Sequence, residues 1–332
     1  MHAIEADKLR GGWLDPRRAA RPFGKICEEW LASNPAKRDS TVARDRSTLD
    51  VHILPTLGRT PVGSVTPRAI QMLVKGWTTA PVTTRRNFGL LRAVLNYAVE
   101  CDVIARSPAR GVKLPTVEQK KHRIIDADEL ATLAEALGPE HTPMAYLGAL
   151  LGFRWGEVAA LRVGRVDFLA GTIEVAESVV RGERGRVGFG PPKSQAGRRV
   201  IAAPRFLLDS LAGLCSSRGL TGADADKLLF TDPAGKPWDY PWWRRCVWLP
   251  SVEAAELDGL KFHDLRRAAA TALVAEGVDM KTAQTRLGHA DIKMTVGLYA
   301  QASQEADRAA AERVAERYTP AAWDGRGKER GA

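Results

Sequence analysis

A polar stretch rich in helix- and strand-breaking residues divides the sequence between residues 107 and 122. It contains Ser107-Pro108, Gly111 and Pro115, followed by the charged run Glu118-Gln119-Lys120-Lys121. Such segments favour exposed connections over regular structure. A chain of 332 residues is long enough to form a hydrophobic core on each side. We therefore expect a multidomain chain with a lead-in at 1–21, a first domain at 22–106, a linker at 107–122, a second domain at 123–318 and a tail at 319–332.

Charge is distributed unevenly between the two expected domains. The chain has 49 Lys and Arg against 39 Asp and Glu. Residues 1–115 carry 19 basic and 10 acidic residues, a net charge of +9, whereas residues 116–332 carry 30 and 29, a net charge of +1. A basic module beside a nearly neutral one is typical of a protein that holds a polyanion. Solubility alone explains the same excess equally well, so charge by itself does not decide between them.

Other features of the sequence favour a cytoplasmic location. The N-terminal residues MHAIEADKLR carry charges where a signal peptide needs an apolar run. The longest apolar stretch, near residues 144–153, is far too short to cross a bilayer. The four cysteines include no C-x-x-C pair, which argues against a zinc ribbon or a disulfide framework. We expect no membrane contact and reduced thiols.

The basic region predicts an all-α domain. Helical patterns begin at Phe23, run over 40–54 until Pro55, over 64–75 with Thr66 as N-cap, and over 84–100. In the last of these, Phe88, Leu91, Leu95 and Val99 form an apolar stripe. The basic side chains that lie off this stripe, and that we expect to contact the polyanion, are Arg85, Arg86 and Arg92.

The second domain predicts an α+β fold that is mainly helical. Helices are indicated at 126–137 and 143–151, and again after Gly152 and after Pro204. The Trp-rich stretch 238–248 is an exception to the helical pattern after Pro204. Three β-like runs indicate a small antiparallel sheet beside the helices: Thr172–Val175, Ser178–Val180 and Arg198–Ala202. The Gly-rich basic segment 181–197 is expected to connect them.

Candidate anion ligands occur at predicted helix starts in this domain. His263 and Arg266 lie in the first turn of one helix, with Asp264 as a capping residue, and Arg154 follows the break at Gly152. Helix N-termini attract phosphate groups. Taken singly, a histidine beside a cap is more often structural, and a lone arginine is more often a solvated surface residue.

Two further candidates follow a turn near residue 288. Gly288 ends one helix, His289 follows it, and Asp291 can cap the next helix. Tyr299 then falls on the inward face of that next helix, together with Ile292 and Val296. A tyrosine on such a stripe is usually a packing residue, so its assignment depends on the other motifs.

Taken together, these motifs resemble the catalytic boxes of tyrosine recombinases, the phage-type integrases. They occur in the family's order: Gly152-Phe153-Arg154-Trp155-Gly156-Glu157-Val158, Pro192-Lys193-Ser194-(x3)-Arg198-Arg199-Val200, Phe262-His263-Asp264-Leu265-Arg266-Arg267-(x3)-Thr271, Leu287-Gly288-His289 and Leu298-Tyr299-Ala300. The basic helical region resembles the family's core-binding domain, a SAM-like helical bundle. Arg267-Ala268 replaces the His-Thr of many members, and the Lys193 segment is the loosest match. A separate arm-binding domain is expected to be absent or reduced to a remnant.

The resemblance implies a role for each residue in DNA strand breakage and rejoining. Arg154 and Arg266 would clamp the scissile phosphate, and His263 and His289 would donate hydrogen bonds or manage a proton. The remaining roles are general acid for Lys193, nucleophile for Tyr299, which forms a 3′-phosphotyrosyl bond, and support of the neighbouring groups for Glu157. Because that bond conserves the phosphodiester energy, no metal and no cofactor is expected.

The resemblance also implies partners and leaves rival functions open. The expected partner is double-stranded DNA with attachment-type sites, held in a two-domain clamp by a homo-tetramer, in some systems with an accessory bending protein or directionality factor. The segment 305–318 reads as an amphipathic helix that packs on its own domain or on a neighbouring protomer. One rival is a type IB topoisomerase-like relaxing enzyme. Another is a non-catalytic DNA-binding protein of the same fold.

Overall fold

The chain divides near residue 121 into two compact units. The computed structural model describes residues 15–118, 123–182, 186–192, 194–291, 311 and 315. Within these ranges, no helix combines the length and the apolar character that a membrane span requires. The expected two-part architecture, an all-α unit followed by a mainly helical α+β unit, is confirmed.

The N-terminal unit is built from helices alone in the described residues. They are α1 (Pro16–Ala19), α2 (Phe23–Ala32), α3 (Asp39–Thr48), a π-helical turn (Leu49–Ile53), α4 (Leu54–Leu57), a 3₁₀ turn (Val62–Ser64), α5 (Pro67–Lys75) and α6 (Pro81–Glu100). Thr66 caps α5 by accepting from the backbone N–H of Ala69, as the sequence predicts. The apolar faces of α2, α5 and α6 enclose one core that includes Phe23, Ile70 and Leu91.

The second predicted helix does not end at Pro55. A π-helical turn at Leu49–Ile53 shifts the hydrogen-bond register, so that the N–H of Leu54 donates to the carbonyl of Leu49. Pro55 then lies in the first turn of α4, where its missing N–H leaves no helical hydrogen bond unmade.

The first half of the predicted linker packs on the N-terminal unit. The Gln71 side chain accepts from the Lys113 N–H at 2.8 Å and donates to the Lys113 carbonyl at 3.1 Å. Arg85 Nε donates to the Pro115 carbonyl at 2.8 Å, and Leu114 packs against the core. Residues up to Pro115 are therefore held by side chains of α5 and α6, although their composition is that of a connection.

The C-terminal unit combines helices with two small antiparallel sheets. Its helices are α7 (Ala127–Leu137), α8 (Thr142–Leu151), α9 (Trp155–Ala159), α10 (Arg205–Ser217), α11 (Tyr240–Trp243), α12 (Leu249–Ala254), α13 (Phe262–Ala275) and α14 (Met280–Leu287). One sheet has the order β1 (Val166–Asp167), β2 (Thr172–Val175) and β5 (Arg199–Ala202), and β3 (Ser178–Arg181) pairs with β4 (Val187–Gly190). Arg199 lies opposite Val175 in the register.

Two features of this unit differ from the sequence prediction. The Gly-rich segment 181–197 contains a strand, β4, because a hairpin with β3 satisfies its backbone groups. The Trp-rich stretch is helical, running from α11 through a π-helical turn (Arg244–Trp248) into α12. That turn brings Trp243 and Trp248 together, with ring centroids 5.6 Å apart, and both pack edge-on against Phe262. Burial of these rings outweighs their modest helix propensity.

Candidate active site

Arg154 is placed by the left-handed residue that ends α8. Gly152 has φ +67°, and a Cβ atom there would lie 2.5 Å from Cδ2 of Leu287, so any other residue would be strained and would displace the Leu287 side chain. The chain then turns into α9, with Arg154 as its N-terminal flanking residue. Arg154 Nη1 donates to Glu157 Oε1 at 2.6 Å, and its backbone N–H donates to Oε2 at 3.1 Å. Glu157 thereby fixes both the main chain and the side chain of Arg154.

Glu157 also pairs with an arginine to which sequence reasoning assigned no role. Arg199 Nη2 donates to Glu157 Oε2 at 2.9 Å, and both side chains are buried. Burial alone would raise the pKa of Glu157, but the charges of Arg199 and Arg154 outweigh it and hold that pKa below its ordinary value. The carboxylate is therefore ionised at neutral pH.

Arg266 lies in the first turns of α13 and is almost completely buried. Its Nη1 donates to the Gly152 carbonyl and its Nη2 to the Leu287 carbonyl, so it joins the end of α8 to the end of α14. Burial and the neighbouring Arg154 lower the pKa of Arg266 to about 9, which leaves it charged at neutral pH. Asp264 contributes at this helix start, accepting from the Lys261 N–H at 3.0 Å.

The two predicted histidines lie beside these arginines. His263 is in the first turn of α13, where burial and the charges of Arg266 and Arg267 lower its pKa. His289 follows Gly288, a left-handed residue with φ +62° that ends α14. The His289 N–H donates to the Gln284 carbonyl at 3.1 Å, and Gln284 Nε2 donates to the His289 carbonyl at 3.1 Å. The backbone and the side chain of Gln284 thus hold the turn that carries His289.

His289 should be neutral throughout the physiological pH range. Burial, Arg266, Arg154 and Arg199 lower its pKa to about 4. Since the neutral ring has one donor and one acceptor nitrogen, it can bind a phosphate oxygen or accept a proton. In an NMR titration of histidine-labelled protein, the resonance that disappears in His289→Gln should shift only near pH 4. A midpoint above pH 6 would contradict this electrostatic environment.

Together these side chains form a site for an anion. Arg154, Arg199 and Arg266 bring three positive charges to a single carboxylate, Glu157, so positive charge is left over. The N-terminus of α13 adds to the same potential. Over the described ranges, no group of three or more His, Cys, Asp or Glu side chains is arranged to hold a metal ion.

The remaining predicted site residues are placed differently or not described. Lys193 and Tyr299 lie outside the described residues, as does the segment 305–318 except for residues 311 and 315. Arg85, Arg86 and Arg92 are exposed on α6 of the N-terminal unit. Arg85 is in addition bonded to the Pro115 carbonyl.

Both units match models of known protein families. Residues 123–306 match the phage integrase family and residues 23–114 match the phage integrase central domain. The fold and the clustered arginines define a site-specific recombinase, an enzyme that breaks and rejoins DNA strands. The chain belongs to the phage integrase family of tyrosine recombinases, which confirms the resemblance seen in the sequence.

Individual relatives extend over most of the chain. The prophage phiRv2 integrase of Mycobacterium tuberculosis is 31% identical over 283 residues, covering 82% of this chain and 72% of the relative. The integrase of Mycobacterium phage FRAT1 is 27% identical, with 88% and 85% covered. The tyrosine recombinase XerC of Xylella fastidiosa is 28% identical over 222 residues, with 64% and 67% covered.

Solved structures share the fold at low sequence identity. The Tn1549 transposon integrase in complex with transposon right end DNA matches with a TM-score of 0.73 at 21% identity, covering 89% of this chain and 100% of that one. A lambda integrase tetramer bound to a Holliday junction matches with a TM-score of 0.62 at 15% identity, covering 89% and 84%.

Proposed function

We propose that this chain integrates or excises the DNA of a phage or mobile element by forming a covalent 3′-phosphotyrosyl bond at Tyr299. The observation that carries the proposal is the meeting of Arg154 and Arg266, from segments more than a hundred residues apart, beside one ionised carboxylate. Guanidinium groups are suited to the equatorial oxygens of a phosphate under in-line attack because they are planar, bidentate and permanently charged.

Each of the other predicted catalytic residues takes part in one step of this reaction. His263 and His289, both with lowered pKa values, hydrogen-bond the phosphate and manage the proton of the attacking phenol. Lys193 protonates the departing 5′ oxygen, and Tyr299 attacks the phosphorus atom. The reverse attack by a 5′ hydroxyl of a second strand rejoins the DNA. Phosphodiester energy is conserved in the phosphotyrosyl bond, so neither nucleotide hydrolysis nor a metal ion is required.

The proposed partner is duplex DNA with attachment-type sites, bound by four protomers in the cytoplasm. Support comes from the related Tn1549 integrase, solved with transposon end DNA, and from lambda integrase, solved as a tetramer on a Holliday junction. The 305–318 segment is proposed to dock on a neighbouring protomer, and an accessory bending protein or directionality factor to set the direction of recombination.

The direct test is trapping of the covalent intermediate. A nicked suicide substrate loses the 5′ hydroxyl needed for rejoining, so a cleaving enzyme accumulates as a protein–DNA adduct. We expect the adduct in the presence of EDTA and without nucleotide, and recombination between two target sites. Adduct with relaxation of plasmids but without two-site recombination would indicate a topoisomerase-like enzyme. DNA binding without adduct would indicate a non-catalytic binder.

The basic face of α6 is proposed to bind the DNA backbone. Each phosphate neutralised releases counterions, which lowers log K by about 0.9 per unit of log salt concentration. Replacing Arg85 and Arg86 with Ala should therefore weaken binding and flatten the salt slope by about one to two units. Cleavage within bound complexes should be nearly unchanged. An unchanged slope would place the DNA-binding face elsewhere, and the two single variants separate a phosphate contact from the bond between Arg85 and Pro115.

A further inference from the structure

Arg199 is a buried cation, and its hydrogen-bond donors contact residues that position the active site. Its side chain is 2% exposed. Nε donates to the Arg286 carbonyl at 2.8 Å and Nη1 to the Gly197 carbonyl at 2.9 Å, while Nη2 donates to Glu157. A charge this deep is costly unless it is paired and hydrogen-bonded. The side chain therefore connects β5, the end of α14 and α9.

Arg199 and Arg154 share the Glu157 carboxylate but differ in access to solvent. Oε1 accepts from Arg154 Nη1, while Oε2 accepts from Arg199 Nη2 and from the Arg154 backbone N–H. The Glu157 side chain is 1% exposed, whereas that of Arg154 is 26% exposed. Arg154 can therefore reach a phosphate that Arg199 cannot touch.

The charges of Arg154, Glu157 and Arg199 indicate how Arg199 acts on the site. Two guanidinium groups share the single negative charge of Glu157, the buried one of Arg199 and the partly exposed one of Arg154. Arg154 Nη1 already lies 2.6 Å from Glu157 Oε1. With Arg199 removed, Arg154 would be the one ion-pair partner left to this buried carboxylate among the described residues, and Coulomb attraction at low local dielectric would hold its guanidinium there more strongly. The charge of Arg154 would then be compensated by Glu157 and less available to a substrate phosphate.

We propose that Arg199 is a positioning residue for DNA cleavage: by pairing with Glu157 it leaves the charge of Arg154 to the scissile phosphate. This inference rests on the proposed function, since it presumes a phosphate at Arg154. It assigns no contact between Arg199 and DNA, and it distinguishes Arg199 from its neighbour Arg198, which is exposed.

The test compares single-turnover adduct formation at saturating protein in the wild type and in four variants: Arg199→Met, E157Q/R199M, Arg198→Met and Arg154→Ala. Arg199→Met should lower the rate by about 100-fold, approaching the loss of a preorganised oxyanion donor. Adding Glu157→Gln to Arg199→Met should raise the rate of adduct formation at least tenfold, because the neutral Gln side chain does not compensate the charge of Arg154. Arg198→Met is the matched control and should stay within twofold of the wild-type rate. Circular dichroism checks the fold of each variant.

If Arg199 had only a structural role, Glu157→Gln would not restore the rate. The hydrogen bonds from Arg199 to the carbonyls of Gly197 and Arg286 are lost in both Arg199→Met and E157Q/R199M. No recovery in E157Q/R199M would therefore overturn the proposal, as would a wild-type rate for Arg199→Met. If Arg199→Met does not fold, the E157Q/R199M variant should still form adduct at least tenfold faster than Arg154→Ala. Equal rates in these two variants would overturn the proposal. Failure of both to fold would make Arg199 structural and also overturn it. Absence of adduct with the wild-type protein would instead refute the proposed function.

Discussion

Tyr299→Phe is expected to abolish the covalent adduct while leaving DNA binding intact. The substitution removes the phenolic oxygen that the proposed mechanism uses to attack phosphorus, and it keeps the aromatic ring. A nucleophile has no substitute within the reaction, so the loss should be complete within the sensitivity of a suicide-substrate assay. Binding measured by mobility shift should remain near the wild-type value, because we expect the basic N-terminal unit to supply most of the phosphate contacts.

A matched variant tests whether the effect is specific. Tyr146→Phe removes a phenolic oxygen from α8, where the Tyr146 ring packs edge-on against Phe206, and should leave adduct formation at the wild-type level. Mapping the adduct by peptide mass should place the nucleotide on the peptide that contains Tyr299. Persistent adduct in Tyr299→Phe would assign the nucleophile to another residue and remove the basis of the proposed reaction.

The parts of the fold that local sequence signals determine were predicted correctly. The Thr66 cap, the break at Gly152 and the helix end at Gly288 each follow from the conformational preference of one residue. The order of the motifs then indicated that Arg154, Arg266 and the two histidines belong to one site. The structure brings these four residues together.

Arg199 could not be assigned because its burial depends on tertiary contacts. Along β5, Arg199 and Ile201 are buried, whereas Val200 and Ala202 are exposed. The hydrophobic pattern of Val200-Ile201-Ala202 does not indicate which face is inward, and Arg198 stands beside Arg199 with the same chemistry. Tertiary contacts distinguish the two, above all the pairing of Arg199 with Glu157, 42 residues earlier in the chain. The helical Trp-rich stretch was missed for the same reason, since its rings are ordered by packing on Phe262.

Replacing Arg154 or Arg266 with Ala is expected to reduce cleavage by two to three orders of magnitude, or about 3–4 kcal/mol of transition-state stabilisation. The reason is that negative charge builds on the equatorial oxygens during attack, so a preorganised cation is worth more in the transition state than in the bound complex. DNA affinity should therefore fall much less than the single-turnover rate of adduct formation.

The Arg154→Ala and Arg266→Ala substitutions should differ in their effect on the stability of the fold. Arg154 is partly exposed, so its removal should leave stability nearly unchanged apart from the lost pairing with Glu157. Arg266 is buried and donates to the carbonyls of Gly152 and Leu287, and Arg266→Ala leaves both acceptors unpaired at roughly 1–3 kcal/mol each. Thermal unfolding should show the difference, with exposed Arg205→Ala as the control that moves neither stability nor rate. A near-normal cleavage rate in a folded Arg154→Ala variant would mean that Arg154 supports Glu157 and does not clamp the phosphate.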